Sequence, residues 1–132
     1  KGEINMSIFE KFEEGKLIVL EGTKEFNEIQ WTKHPVFHGV ELKHLITAKD
    51  TNGQFSYHLV KVAPNCSIKM HTHETQLETH EVIAGSGICM NQGMEIAYEP
   101  GVMSIMPAGT DHEVNASEEG VYLFAKFMPA LC

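Results

Sequence analysis

Between residues 36 and 128 the chain sets short apolar-rich runs against turn residues, and no stretch there has helical spacing. Residues 36–40 and 42–47 read as strands. Asp50-Thr51-Asn52-Gly53 reads as a turn, because Asn-Gly supplies the positive φ that a hairpin turn needs. Residues 54–63 alternate as a strand does. Pro64-Asn65 marks another turn, since Pro fixes φ and Asn tolerates the left-handed region. Residues 67–73 are predicted as a strand, and 78–84 as the next, ended by Gly85-Ser86-Gly87. Residues 88–91 and 94–98 flank Gln92-Gly93 as a hairpin. Pro100-Gly101 turns the chain, 102–106 is a strand, and Pro107-Ala108-Gly109 turns it again. Residues 113–116 and 121–128 complete the series, separated by 117–120, and 129–132 form a short tail. This rhythm predicts an all-β fold, an antiparallel sandwich or barrel.

The first 35 residues read differently. Ser7 followed by Glu10 has the spacing of a capping box, and Ile8, Phe9 and Phe12 share one face of a short helix that Gly15 would stop. Residues 17–20 read as a strand closed by Gly22, and 23–35 carry weak strand signals around 26–31. These strand-like residues have no assigned partner in a minimal barrel, and a homodimer is expected on that ground. The single domain spans 1–132, with its barrel core at about 36–128 and an N-terminal extension at 1–35.

Composition narrows the function. Leu, Ile, Val and Phe make up 34 of 132 residues, too many for a disordered chain. The formal charge is −8 and no Arg is present, so the footprint that neutralises nucleic-acid phosphates is missing. The same charge argues against an anionic membrane surface, and no apolar run approaches the ~20 residues of a membrane span. Cys66, Cys89 and Cys132 form no C-x-x-C, which points to reduced thiols in a cytoplasm. Residues 1–5 carry no signal-peptide apolar region. Met6 is a candidate start, with 1–5 an upstream extension.

Eight His are present, and they are unevenly spread. His71 and His73 are two apart, so on a strand their imidazoles share one face and can grip one ion. Glu78 follows a short connection, where an antiparallel neighbour can set its carboxylate opposite them. His80 shares the face of Glu78, one step deeper. His112 follows the 107–109 turn. An H-x-H pair alone is also explained by a solvated strand face. A correctly placed carboxylate and a third His on its own turn-strand unit favour a metal site.

These segments resemble the two cupin motifs. The first, G-x5-H-x-H-x3,4-E-x6-G, is matched by His71, His73, Glu78 and Gly85, with Asn65 in place of the opening Gly. The second, G-x5-P-x-G-x2-H-x3-N, is matched by Gly101, Pro107, Gly109 and His112. Its final position is Ala116, and Asn115 lies one residue early. Fifteen residues separate Gly85 from Gly101, a spacing similar to that of small microbial cupins. The resemblance implies a double-stranded β-helix, or jelly-roll barrel, open at one end. It also implies the metal ligands His71, His73, Glu78 and His112. Three imidazoles and one carboxylate suit Fe, Mn, Ni, Cu or Zn, and the ligand set does not choose among them.

His80 then has several roles open to it: a ligand, a donor behind the ligands, a general base, or a buried core residue. His34, His38, His44 and His58 are read as having no special role, and Tyr57, Phe55, Tyr98 and the seven Met as barrel filling. Lys69 is the one basic residue within the motifs, so an anionic sugar-phosphate has little support. The expected function is a metal-dependent enzyme on a small molecule in the barrel mouth, such as an oxygenase or an isomerase/lyase. The alternatives are a non-catalytic metal- or ligand-binding sensor or storage module, and a purely structural metal site.

Overall fold

Two long strands carry the architecture of the computed structural model, which describes residues 4–132. The reading of residues 1–5 as an upstream extension falls partly outside the described residues. In chain order the strands are β1 (Lys16–Val19), β2 (Gly22–Glu25), β3 (Thr32–Lys33), β4 (Val40–Ile46), β5 (Ser56–Val62), β6 (Ser67–Thr72), β7 (Leu77–Asn91), β8 (Met94–Tyr98), β9 (Met103–Met106) and β10 (Asp111–Met128). Helix α1 (Ser7–Glu13) precedes them, and the single turn α2 (Ala48–Thr51) joins β4 to β5. Strands β7 and β10 pair antiparallel from Leu77↔Met128 to Asn91↔His112. One half of each extends a sheet with β3, β4, β5 and β9, and the other half a sheet with β6 and β8. All pairings are antiparallel. The two layers enclose Val60, Val62, Val82, Cys89, Tyr98, Val114, Val121 and Leu123, each at most 5% exposed. This is a jelly-roll barrel, as expected from the sequence.

Where the sequence showed two pairs of short strands, the structure has two continuous ones. Gly85-Ser86-Gly87 does not end β7, and residues 117–120 do not interrupt β10. Both strands bend there, and the register shifts between Ala116 and Val121. Gly residues serve this bend by permitting close approach. A Cβ on Gly87 would lie 2.5 Å from the Asn115 carbonyl oxygen. The 36–40 strand is also shorter than expected, with only Val40 in β4. Asn52 and Gly53 do adopt positive φ (54° and 78°), but they follow a helical turn opened by a Thr47–Asp50 capping box. Asn65, in the position of a motif Gly, has φ 60°.

The N-terminal segment forms the helix without the expected cap. Met6 is the N-cap, and the Ser7 N–H and hydroxyl both donate to Asn5 Oδ1 (3.1 and 2.9 Å). Strands β1 and β2 pair with each other, and residues 26–28 form a 3-10 turn rather than strand. Phe9 and Phe26 pack with Leu45 and Leu59 against the outer face of the β4–β5–β10 layer. Strand β5 is therefore covered on both faces, Leu59 outward and Val60 and Val62 inward, which blurred its alternation. The unpartnered-strand argument for a dimer does not hold, since that segment finds its partners within the chain. Not every Met fills the barrel: Met106 is buried, whereas Met70, Met94 and Met103 are at least half exposed. The tail is docked, with Ala130 N–H bonded to the Gly53 carbonyl (3.1 Å) and Leu131 N–H to Ser56 Oγ (2.8 Å). Among the described residues, no helix is long and apolar enough to cross a membrane.

Candidate metal centre

His71 lies near the end of β6, and His73 just beyond it. His112 lies near the start of β10, directly opposite His71 in the register. Glu78 arrives from the other layer, as the second residue of β7, paired with Met106 and Phe127. Strand β6 pairs with β10 and not with β7. The carboxylate therefore faces the imidazoles across the barrel, not from the antiparallel neighbour that the sequence suggested. One ligand atom from each of His71, His73, Glu78 and His112 lies within 4.8 Å of the others. The ring centroids of His71 and His112 are 4.2 Å apart, and those of His71 and His73 are 5.0 Å apart.

Backbone carbonyls fix two of the tautomers. His71 Nδ1 is 2.7 Å from the Lys69 carbonyl, and His112 Nδ1 is 3.2 Å from the Thr110 carbonyl. A carbonyl only accepts, so each Nδ1 carries a hydrogen and each Nε2 is directed at the site. Burial lowers the pKa of His71 and His73, which keeps their lone pairs free at neutral pH. Burial alone would raise the Glu78 carboxyl, but the adjoining His80 and His112 hold it well below the usual carboxylate range. Burial would likewise lower His112, and its contact with Glu78 outweighs this and raises it. A cation entering the site competes with protons for His112 Nε2, so its uptake is favoured as pH rises.

The decisive feature is a pair of orphaned atoms. Glu78 Oε1 and His112 Nε2 lie 3.0 Å apart, yet neither has a hydrogen bond of acceptable direction, and both are sealed from solvent. The two atoms face each other as an ion pair without a well-directed hydrogen bond, an arrangement that is rare among buried polar atoms. A cation among the four donors satisfies both at once. The residues present fit a transition-metal ion.

His80 stands behind the carboxylate. Its Nε2 is 2.8 Å from Glu78 Oε2, and its Nδ1 is 2.7 Å from the Tyr98 hydroxyl. With Tyr98 donating to Nδ1, the His80 proton sits on Nε2 and points at Glu78. Tyr98 is bonded in turn to Ser104 Oγ. Both nitrogens of His80 are thus occupied by protein. Tyr98→Phe removes the hydrogen bond that orients His80. Metal affinity should fall about tenfold with one ion still bound, as is usual when a partner behind a ligand is lost. Competition with a chelator measures this, and an unchanged affinity would show that the Tyr98–His80 chain does not hold Glu78 in place.

The site opens on a cavity of about 100 Å³. Its walls are Val40, Leu42, Val60, Ile68, Leu123, Ala125, Phe127 and Leu131, with His34 joining His71, His73, Glu78 and His80. No Lys lines it. Larger hollows on the outer surface include none of the four candidate ligands.

Residues 58–126, more than half of the chain, match the family described as Cupin domain. The chain belongs to the cupin family. Solved structures agree on the fold. Ectoine synthase from P. lautus aligns with a TM-score of 0.72 at 20% identity, over 87% of this chain and 80% of that one. The polyketide cyclase RemF from Streptomyces resistomycificus aligns with a TM-score of 0.67 at 22% identity, over 78% of this chain and 75% of that one. Oxalate decarboxylase from Bacillus subtilis, described with Mn(II) centers, gives 0.67 at 18% identity, over 81% of this chain and 29% of that one. No curated protein matches the chain.

Within this cupin barrel, sequence reasoning missed His34. It sits on the loop before β4, reaches the cavity only through the fold, and stacks on Phe37 (4.5 Å between centroids). Its Nδ1 lies 3.1 and 3.2 Å from the backbone N–H groups of Val36 and Phe37 and accepts from both, so its proton is on Nε2. The Pro35 turn was the available signal, since it curls the backbone around the preceding side chain. His44 and His58, which the sequence leaves without a special role, touch each other on adjacent strands.

Proposed function

We propose that this cupin is a metal-dependent enzyme acting on a small molecule at the barrel mouth, through oxygenase or isomerase/lyase chemistry. The supporting observation is the orphaned Glu78–His112 pair, buried beside two further imidazoles at the end of an apolar cavity. His71, His73, Glu78 and His112 would hold one divalent ion, Fe, Mn, Ni, Cu or Zn. Such an ion polarises a carbonyl, lowers the pKa of bound water, or supports redox chemistry. The protein does the rest. Apolar walls exclude water and leave room for roughly three waters' volume, which suits the reacting end of a small ligand. His80 is a positioning residue, orienting Glu78 through Nε2. His34 supplies a fixed N–H donor at the cavity for a substrate oxygen. Neighbouring folds include enzymes, ectoine synthase and a polyketide cyclase among them.

We place the protein in the cytoplasm, in keeping with its three free thiols. The homodimer stays part of the reading, now on the exposed apolar Met103 and Ile105 of β9. Sizing in solution checks it, and a monomer at micromolar concentration removes it.

The test is metal-loaded protein, purified without nickel resin, against a panel of small carbonyl and hydroxy compounds. Turnover that disappears in Glu78→Gln supports an enzyme. Retained metal with no turnover across the panel defeats it and leaves the sensor or storage module. His34→Ala should reduce turnover roughly tenfold with metal content unchanged, the worth of one hydrogen bond.

A further inference from the structure

A second cluster of soft donors lies on the neighbouring strands, outside the cupin ligand set. His44 of β4 and His58 of β5 are direct register partners. Their Nδ1 atoms are 2.8 Å apart, with the rings at 89°. Cys132 completes the group, one ligand atom from each of the three residues lying within 4.8 Å of the others. The docking of the tail is what brings the thiol there. Leu131 N–H binds Ser56 Oγ (2.8 Å), and the Cys132 carbonyl accepts from Ala48 N–H (2.6 Å). Ser56 also contacts His58 Nε2 at 2.8 Å, so one hydroxyl anchors both the tail and the ring.

We propose that His44, His58 and Cys132 form a second metal site, for a thiophilic ion such as Zn(II). Two imidazoles and one thiolate are a borderline-to-soft donor set with no hard oxygen, which selects against Mg(II) and Ca(II). Three protein ligands leave a fourth position for water or an exogenous donor. With Ser56 accepting from His58 Nε2–H, the Nδ1 lone pair of His58 faces His44, whose Nδ1–H donates to it and would give up that proton to an ion; the Ser56 contact is the outer hydrogen bond that fixes a ligating imidazole. The two Nδ1 atoms need to part only to roughly 3.3 Å to share a tetrahedral ion at ordinary Zn–N lengths. Burial, and secondarily His44, hold the pKa of His58 down to about 3, so it remains an unprotonated donor. Burial pushes the Cys132 thiol up, so it is no ready nucleophile by itself, and a cation is what would ionise it.

The two centres adjoin without sharing a ligand. The Phe127 ring lies between them, 5.6 Å from His58 and 5.1 Å from His73, and Leu131 lines the first cavity. An ion at the second site would pin the tail that forms one wall of the first.

The test titrates the 132-residue chain with Co(II) and follows the near-ultraviolet thiolate-to-cobalt band. The band should appear in the wild type and in His71→Ala, vanish in Cys132→Ser, and be displaced by Zn(II). Its absence from the wild type, or its persistence in Cys132→Ser, overturns the proposal. Zn(II) should also slow alkylation of Cys132, read by peptide mapping, more than about tenfold in both the wild type and His71→Ala. Equal rates with and without zinc overturn it. So does undiminished protection in His44→Ala, which would mean that the imidazoles are not ligands.

Discussion

His71→Ala is expected to weaken metal binding by more than about 100-fold, since loss of a partner behind a ligand already costs about 10–100-fold. The side chain is aimed before any ion arrives, because the Lys69 carbonyl holds Nδ1 and directs Nε2 inward. Its removal leaves His73, Glu78 and His112, one donor short of the set of four. Stability without metal should hardly change. His71 is only part-buried and its ring contacts are with Phe37, His73 and His112, so the layers stay packed on the valine and leucine core. Chelator competition reads the affinity, and melting in excess chelator reads the fold. An affinity within threefold of the wild type would falsify the assignment of His71 as a ligand. Lost metal with melting unchanged from that of the metal-loaded wild type, read without chelator, rules out a purely structural site.

The second large effect is on the fold. Gly85→Ala should destabilise the protein by roughly 3 kcal/mol, a left-handed backbone penalty of about 1 kcal/mol plus overpacking of about 2. Gly85 has φ 74°, and a Cβ there would lie 2.1 Å from the Gly120 carbonyl oxygen. That carbonyl belongs to backbone that cannot swing aside. Gly120 itself has φ 76°, and an atom added to it would meet the Val62 carbonyl at 3.0 Å. The matched control is Gly93→Ala, where φ is 79° but nothing lies within 4 Å. Only the backbone penalty of about 1 kcal/mol applies there. Thermal melting should separate the two variants by several degrees. Equal losses would show that the close approach of β7 and β10 has no energetic weight.

The candidate ligands were legible because their geometry is local in period. His71 and His73 share a face by the two-residue repeat of a strand, and His112 follows a Pro-Gly turn that any antiparallel barrel would use. Glu78 was found for a partly wrong reason, since it faces the imidazoles from the opposite layer rather than from an adjacent strand. Gly does not stop the strands that its position in the sequence suggests it should. In β7 and β10, Gly marks the bend of a strand that keeps its partner. The expected capping box is not formed: the Ser7 hydroxyl donates to Asn5 Oδ1, and Met6 is the N-cap of the helix that starts at Ser7. His34 is marked only by the Pro35 turn beside it, since the loop that brings it to the cavity spans no regular period.

By itself, the sequence determined an antiparallel β fold, most of its turns and the four candidate ligands. These follow from residue type and short-range spacing, which the backbone expresses wherever it folds. Only the tertiary structure decided that Glu78 comes from across the barrel, that His80 has both nitrogens engaged, and that Cys132 reaches His44 and His58. Those relations join residues far apart in the chain. They depend on how two bent strands and a docked tail bring separate segments within a few ångströms, which no periodicity encodes.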